Sequence, residues 1–168
     1  MALDVLIRRA TLDDVASMGA LWLRAALTGY EGIFPPEAPK PTATELTDRW
    51  RQVVERELSG NVALVACHAP REALLGTVAA EVEFGGPYPA HVRRLYVDPR
   101  YWGRGIGRRL HDAALDRLRS AGHGVVALWV LEANARARSM YERWGWRPTP
   151  DRQTVYPGVD ELRYLRDL

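Results

Sequence analysis

Three glycines at alternate positions, Gly103, Gly105 and Gly107, separate the apolar run "LYV" (95–97) from a segment with the periodicity of a helix. The apolar residues of that segment recur at every fourth position, and they are Ile106, Leu110, Ala114 and Leu118. This spacing predicts a helix that packs one face on a sheet. A strand, a glycine-rich turn and a helix therefore follow one another, and the unpaired N–H groups at the start of the helix suit an anion.

The rest of the chain predicts further strands and helices around this unit. In chain order the patterns predict first a strand (5–11), a helix to Leu27 opened by Thr11 and Asp14, a proline-rich loop, and a helix capped by Thr42 or Thr44 and ended by "SGN" (59–61). They then predict strands at 62–69 and 73–85 joined by "PRE", a strand at 91–99, the helix at 103–121, an apolar strand at 123–131, a short helix ended by Gly145, and a polar closing strand or hairpin arm at 160–168. This order is typical of an α+β or mixed α/β fold, and we expect one domain over residues 1–168.

The size and composition of the chain limit its class. It has 168 residues, 47% of them hydrophobic, which is enough for one core and too few for two ordinary domains. Its apolar runs are far shorter than the roughly 20 residues that a membrane helix needs, and no apolar signal segment opens it. Cys67 is the only thiol, so no internal disulfide can form. We therefore expect a cytoplasmic protein without a membrane partner.

The basic residues are almost all arginine, because Lys40 is the only lysine among 23. A Schiff base and a P-loop each require a lysine, so both are excluded unless Lys40 is that residue. The net charge of +2 gives no general argument for nucleic-acid binding. Arg104, Arg108 and Arg109 lie at the start of the predicted helix, where a cation is unfavourable by about 0.3–1 kcal/mol. A polyanionic ligand would account for them, and arginines that point into solvent are the alternative.

Two common phosphate-binding motifs do not fit the glycines. A dinucleotide fingerprint requires a third glycine where this chain has Arg108, and it follows the first strand of a parallel unit. A P-loop requires a lysine after its last glycine and then serine or threonine. In this chain Arg108 follows Gly107, and no serine or threonine comes next. The sequence therefore favours another carrier of phosphate.

The segment "VDPRYWGRGIG" (97–107) resembles the signature of the GNAT superfamily of N-acetyltransferases, (R/Q)-x-x-G-x-(G/A) at a strand-to-helix junction. Gly105 and Gly107 occupy its two small positions, whereas Trp102 stands where the family has arginine or glutamine. A second segment (128–146) resembles the family's last block, N-x-x-A-x-x-(F/L/M)-Y-E-x-x-G-(F/W). Its matching residues are Asn134, Ala137, Met140, Tyr141, Glu142, Gly145 and Trp146.

The resemblance implies a GNAT-like α+β fold. Its central sheet would be mostly antiparallel and twisted, with about six to seven strands, a splayed parallel pair that forms the acyl-CoA cleft, and about four flanking helices. The implied cosubstrate is acetyl-CoA. The residues implied in binding it are Leu95, Tyr96 and Val97 for the pantetheine arm, Gly103, Arg104, Gly105, Ile106, Gly107 and Arg108 for the pyrophosphate, and Asn134 for the pantetheine or the acetyl end.

Tyr141 is the residue expected to act as an acid. An amine that attacks a thioester releases a thiolate, and a phenol of pKa about 10 can hydrogen-bond or protonate a leaving group of pKa roughly 8 to 9. The alternative is that Tyr141 is a core aromatic, since Met140 and Trp144 share its helix.

The amine must also lose its proton before it attacks, through a base or a chain of waters. His91 begins the strand before the signature, where the family often carries a glutamate base. Glu81 and Glu83 lie two apart on one strand and share a face, so they are further candidates. The alternative is that His91, Glu81 and Glu83 are exposed surface residues without a catalytic role.

The acceptor pocket of the family is built by the first two helices, their connecting loop and the segment after the last helix. The tyrosines and acidic residues of these segments are Tyr30, Glu31, Glu37, Glu45, Asp151, Tyr156, Asp160 and Glu161. They are compatible with a cationic amine on a small molecule or a peptide. The histidines have no ligand-like spacing, so no metal is expected, and a homodimer is compatible with the sequence.

Three functions follow from these observations. The resemblance favours an acetyl-CoA-dependent N-acetyltransferase that acts on a primary amine by direct attack on the thioester. A second hypothesis is a catalytically silent module that binds and senses acetyl-CoA. The third, an arginine-rich nucleic-acid binder using residues 93–109, is the least favoured, and no nucleic-acid partner is expected.

Overall fold

The computed structural model describes residues 4–56, 61–68, 73–83 and 86–168. Within these ranges the strands are β1 (Val5–Arg9), β2 (Val62–His68), β3 (Ala73–Val82), β4 (Ala90–Val97), β5 (Val125–Leu131), β6 (Arg147–Tyr156) and β7 (Val159–Asp167). The helices are α1 (Val15–Gly29), α2 (Ala43–Glu55), α3 (Ile106–Ser120) and α4 (Ala135–Arg143). Short 3-10 turns at Leu12–Asp14 and Pro99–Tyr101 precede α1 and α3. None of the described helices is both long and apolar enough to cross a membrane.

The strands form one sheet in the order β1-β2-β3-β4-β5-β7-β6. All neighbouring strands are antiparallel except β4 and β5, which are parallel. The predicted α+β fold with a mostly antiparallel sheet and one parallel pair is therefore confirmed.

The parallel pair separates soon after it begins. Only Ala90 with Val126 and His91 with Ala127 are paired between β4 and β5. Beyond His91 the backbone of β4 has its strand partner on one side only, in β3. The two strands therefore open into a cleft at their carboxyl ends, as predicted.

Helices cover both faces of the sheet and make two cores. On one face, Leu110, Ala114 and Leu118 of α3 are fully buried against the strands, which confirms the predicted helical spacing. On the other face, Met18 of α1 and Trp50 of α2 are fully buried. The sheet is thus held between two apolar layers, and α1 and α3 meet the open end of the β4–β5 pair from opposite faces.

One capping box lies at the start of the 3-10 turn before α1, and another lies at the start of α2. The carboxylate of Asp14 accepts from the Thr11 N–H at 2.8 Å, and this box begins the 3-10 turn that leads into α1. In α2 the Glu45 carboxylate accepts from the Thr42 N–H at 2.7 Å, and the Glu45 N–H donates to the Thr42 hydroxyl at 3.2 Å. Thr42 rather than Thr44 therefore caps α2. The predicted helix end at 59–60 and the "PRE" turn at 70–72 lie outside the described residues.

The strand β6 was not predicted by the sequence patterns. It forms the sheet edge beside β7, and its side chains are mostly exposed on both faces. Without a buried face the strand has no apolar alternation, and Pro148 and Pro150 lower the apparent strand propensity although an edge strand tolerates them. The segment after the last helix is therefore a β-hairpin with β7.

A buried histidine joins α3 to the segment that follows α4. The His111 ring is fully buried, its Nε2 accepts from Trp146 Nε1–H at 2.9 Å, and its Nδ1 lies 2.8 Å from Asp112 Oδ1. Since Nε2 accepts, the neutral ring carries its proton on Nδ1 and donates to Asp112. Burial lowers the pKa of His111 to about 4.

We expect this histidine to make the protein acid-sensitive. In the unfolded chain His111 binds a proton at its ordinary pKa of about 6.5, whereas the folded protein resists protonation until about pH 4. Stability contributed by neutral His111 is therefore complete above pH 6.5 and is lost as the pH falls towards 4, by roughly 2–3 kcal/mol. His111→Gln should keep an acceptor for Trp146 and reduce this loss, measured by urea unfolding at several pH values.

His123→Gln is the matched control, because His123 is only partly buried, just beyond the far end of α3. It should keep the acid-dependent loss of the wild-type protein. Identical pH slopes in His111→Gln and the wild type would contradict the prediction.

Candidate active site

The open end of the β4–β5 pair is a cleft of about 460 Å³. One wall consists of β4 from Val92 to Val97 and the turn into α3, and the other of β5 and α4. Tyr30, after α1, and Glu161, in β7, lie at the same cleft. The lining includes most of the predicted cosubstrate residues, namely Leu95, Tyr96, Val97, Gly103, Gly105, Ile106, Gly107, Arg108 and Asn134, but not Arg104.

The glycine turn presents backbone donors to this cleft. Gly103 and Gly105 have φ of 76° and 77°, a left-handed conformation that favours glycine. The first helical bond of α3 runs from Arg109 N–H to the Gly105 carbonyl at 3.1 Å, and no side chain caps the helix. The N–H groups of the first three residues, 106–108, therefore have no partner within the helix. They form a cradle suited to an anion.

The turn is anchored by Asp98, a role that the sequence analysis did not assign. Its side chain is 1% exposed, and it accepts from the Arg100 guanidinium at 2.8 Å and from Arg24 of α1 at 3.0 Å. It also accepts from the Arg100 N–H at 3.1 Å and so caps the 3-10 turn that begins at Pro99. These bonds, the Arg100 side chain first, lower the pKa of Asp98 to about 2. An Asp-Pro pair after a strand is the local signal for such a cap.

Trp102, the departure from the family signature, closes one side of the cleft. Its Nε1–H donates to the Val97 carbonyl at 2.8 Å, which fixes the indole against the end of β4. The Arg136 guanidinium of α4 lies 3.7 Å from the centre of the indole ring. Because Trp102 and Arg136 come from opposite walls, this cation–π contact joins the two walls of the cleft.

Tyr141 lies on the α4 wall of the cleft. Its ring packs edge-on against Trp144, at 6.0 Å between ring centres, and against Trp146, at 5.9 Å. Burial raises the pKa of the Tyr141 phenol well above its usual value. The phenol is therefore protonated at neutral pH, as an acid must be. Its ring also packs against the core, as the alternative considered from the sequence predicts.

Asn134 begins α4 beside the cleft. Its Oδ1 accepts from the Ala137 N–H at 3.1 Å and caps the helix. Asn134 lines the cleft, and its capping bond uses the amide oxygen and not the amide N–H donors.

The three residues predicted as bases lie outside the main cleft lining. Glu81 forms an ion pair with Arg94, and Glu83 with Arg93. His91 is 8% exposed, and burial together with the nearby Arg93 lowers its pKa. It lines a second pocket that adjoins the cleft.

Two residues of the segments expected to build the acceptor pocket, Tyr30 and Glu161, line the cleft together with Tyr96. The Tyr30 hydroxyl lies 3.3 Å from that of Tyr96, and the Tyr96 ring stacks on Trp22 at 5.2 Å. Burial raises the pKa of both tyrosines. Glu161 is the only acidic residue among those that line the cleft in the described part of the chain. Tyr30 and Glu161 lie in segments without a motif, where only the fold brings them together.

The comparison with protein families assigns the fold and the cleft to a class. The model of the acetyltransferase (GNAT) family matches residues 24–146. The chain therefore belongs to the GNAT acetyltransferase family, as its two motifs predict.

Relatives and solved structures agree with this assignment. A mycothiol acetyltransferase of Beutenbergia cavernae is 54% identical over 54 residues, which are 32% of this chain and 18% of that protein. The N-alpha-acetyltransferase RimI of Mycobacterium tuberculosis is 39% identical over 83 residues, 48% of this chain and 51% of that protein. The matches thus span about a fifth to a half of these relatives. The structure of the PaiA N-acetyltransferase from Thermoplasma acidophilum in complex with coenzyme A has a TM-score of 0.82 at 18% identity, covering 99% of this chain and 100% of that one.

The described residues hold no group of three or more histidine, cysteine or acidic side chains that could bind a metal ion.

We expect Gly105 to matter more than Trp102 for the affinity of coenzyme A. A valine at position 105 would have to adopt the φ of 77°, at a cost of about 1–3 kcal/mol, or distort the cradle. Gly105→Val should therefore raise the Kd of coenzyme A by about tenfold or more, whereas Trp102→Gln keeps every cradle N–H and should change it less. Titration calorimetry measures both.

Gly122→Val is the control for backbone strain alone, because Gly122 has φ of 91° at the opposite end of α3. It should lower the melting temperature without weakening coenzyme A. A larger loss of affinity in Trp102→Gln than in Gly105→Val would contradict the prediction.

Proposed function

We propose that the protein is an acetyl-CoA-dependent N-acetyltransferase that acetylates a primary amine by direct transfer. The proposal rests on one arrangement: the parallel strands part beside the glycine cradle, and the Tyr141 phenol lies on the opposite wall. The names of two relatives, a mycothiol acetyltransferase and an N-alpha-acetyltransferase, support the reaction class.

The residues of the cleft fit coenzyme A. The N–H groups at the start of α3 lack partners in the helix and suit a pyrophosphate, and nearby Arg108 adds positive charge although Asp112 pairs with it at 2.7 Å. The backbone of β4 after His91 has no strand on its β5 side and can pair with the amides of a pantetheine arm. Acetyl-CoA, when bound, supplies the acetyl group as an activated thioester.

Tyr141 is the proposed acid. Burial raises its pKa, so at neutral pH the phenol keeps its proton and can donate a hydrogen bond to the charge that develops on a departing sulfur. The edge-on contacts with Trp144 and Trp146 hold the ring in one orientation.

His91 is the proposed base for the amine proton. Burial and the charge of Arg93 lower its pKa, so the ring is neutral and able to accept a proton at neutral pH. One oxygen of Glu81 accepts from Arg94 and one oxygen of Glu83 accepts from Arg93, so both carboxylates are already ion-paired. The pocket of His91 adjoins the cleft through Arg93 and Trp129, which line both.

The arginines of residues 93–109 do not favour the nucleic-acid hypothesis. Arg93, Arg94, Arg100 and Arg108 are each paired with a carboxylate. Arg109 donates to the Val5 carbonyl at 2.8 Å. Their charge is therefore mostly neutralised within the protein.

A thermal-shift titration tests the proposed cosubstrate. Acetyl-CoA and coenzyme A should raise the melting temperature in a concentration-dependent manner, since each binds only the folded chain. NAD and ATP at equal concentrations should do so much less. The absence of any shift with saturating acetyl-CoA would refute the proposed function.

Replacing the phenol of Tyr141 tests the proposed acid. Tyr141→Phe keeps the ring contacts and removes the proton donor, so kcat should fall by about 10²- to 10⁴-fold while the affinity for acetyl-CoA is kept. Tyr156→Phe, at the end of β6 and away from the cleft, is the control and should keep full activity. Release of coenzyme A from a broad amine panel gives the readout, and unchanged turnover in Tyr141→Phe would assign the ring to the core alone.

A further inference from the structure

A second pocket, of about 310 Å³, adjoins the cleft. Arg93 and Trp129 line both cavities. The other residues that matter in the second pocket are Glu83, Tyr88, His91, Gln153 and Arg163. The pocket is polar, and its volume is sufficient for part of an acceptor whose amine lies in the cleft.

Two buried nitrogen atoms without hydrogen-bond partners belong to residues that line the second pocket. Among the described residues, five buried side-chain polar atoms have no hydrogen-bond partner, and three of them are His91 Nδ1, Arg94 Nε and Arg163 Nε. His91 and Arg163 line the second pocket, and Arg94 lines the main cleft. A guanidinium Nε–H is always a donor and cannot accept. A buried donor without an acceptor is costly, so these sites favour a ligand that brings oxygen acceptors.

The guanidinium of Arg163 is held in a fixed position by its neighbours. Its guanidinium lies 4.6 Å from the ring centre of Trp129 and 5.5 Å from that of Tyr88, and its terminal nitrogen donates to Asp151 at 3.0 Å. The stacking and the ion pair fix the group while its Nε–H remains unpaired. A fixed planar guanidinium is well suited to a carboxylate.

Each cavity has charges of both signs. The second pocket is lined by Arg93, which is paired with Glu83, and by Arg163, which is paired with Asp151. Within the described part of the chain, the main cleft is lined by five arginines, among them Arg136 and Arg143, and by one carboxylate. In the main cleft Glu161 offers a carboxylate, and Gln153 donates to it at 2.8 Å. An acceptor with an ammonium group near Glu161 and an anionic group near Arg163 would match both.

We infer that the acceptor is a small amine that also carries a carboxylate, which binds at Arg163 in the second pocket while the amine lies in the cleft. This inference rests on the proposed acetyltransferase function and specifies its substrate class. The amine nitrogen gains the acetyl group and loses a proton, and the carboxylate takes no part in the transfer.

The experiment compares acids with their own amides. α-Amino acids and ω-amino acids of two to six carbons, each beside its carboxamide, are offered with acetyl-CoA, and release of coenzyme A is followed. A tetrapeptide with a free amino terminus and an amidated carboxyl terminus is included. We expect the best acid to exceed its carboxamide in kcat/KM by about tenfold or more, chiefly through KM, because the carboxamide has no charge to pair with Arg163.

Two variants test whether Arg163 causes this preference. Arg163→Gln should bring the ratio of acid to carboxamide close to one. Arg147→Gln, which removes an exposed arginine paired with Asp167 outside both cavities, should keep the ratio of the wild type. Equal rates for acid and carboxamide in the wild type, or a best rate with the peptide, would overturn the inference. If Arg163→Gln does not fold, the wild-type ratio alone decides.

A binding measurement separates this inference from the proposed function. If acetyl-CoA raises the melting temperature but no amine is acetylated, the proposed reaction fails, and the coenzyme A-loaded protein is titrated with the same acids and carboxamides by calorimetry. Tighter binding of an acid than of its carboxamide, lost in Arg163→Gln, still supports the carboxylate subsite. Equal binding, or none, refutes it.

Discussion

The buried carboxylate of Asp98 connects the parts of the molecule on which the cleft depends. It accepts from Arg24 of α1, from Arg100 in the turn that follows β4, and from the backbone of that turn. An ionised group that is 1% exposed persists only when its oxygens are fully paired, and here they are paired by charged donors. Asp98 thereby fixes the direction in which the chain leaves β4, and this direction places the glycine cradle at the mouth of the cleft.

A second constraint comes from the strand order. The parallel strands β4 and β5 are paired at only two positions, so the sheet is open between their carboxyl ends. Unpaired backbone of this kind is costly when buried, and an open cleft leaves it available to a ligand with amide groups. The contact of Arg136 with Trp102 lies across this gap and joins walls that share no strand pairing there. Trp102 thus has a packing role where the family signature has a polar side chain.

The sequence was informative wherever local chemistry determines local structure. The spacing in α3, the glycine turn and the Thr42 capping box all depend on residues within a few positions of one another. β6 was missed because an edge strand exposed on both faces shows no apolar alternation. The neighbours of Tyr141, such as Tyr30 after α1, come from distant segments, so no spacing in the sequence could bring them together.

Internal ion pairs change the charge that the loops offer to an acceptor. The acidic residues of the segment after α4 are compatible with a cationic amine, but most of them form ion pairs with arginines of the same hairpin. Asp160 and Glu132 share Arg152, at 3.1 and 2.8 Å, and Asp151 pairs with Arg163 at 3.0 Å. Only Glu161 of that segment lines the cleft. The charge that a ligand meets is what remains after internal pairing. In the cleft it is the Glu161 carboxylate and the guanidinium groups of Arg136 and Arg143, and beside the cleft it is Arg163, whose Nε–H is unpaired although Asp151 pairs with its terminal nitrogen. That remainder, rather than the composition of the loops, favours an acceptor with charges of both signs.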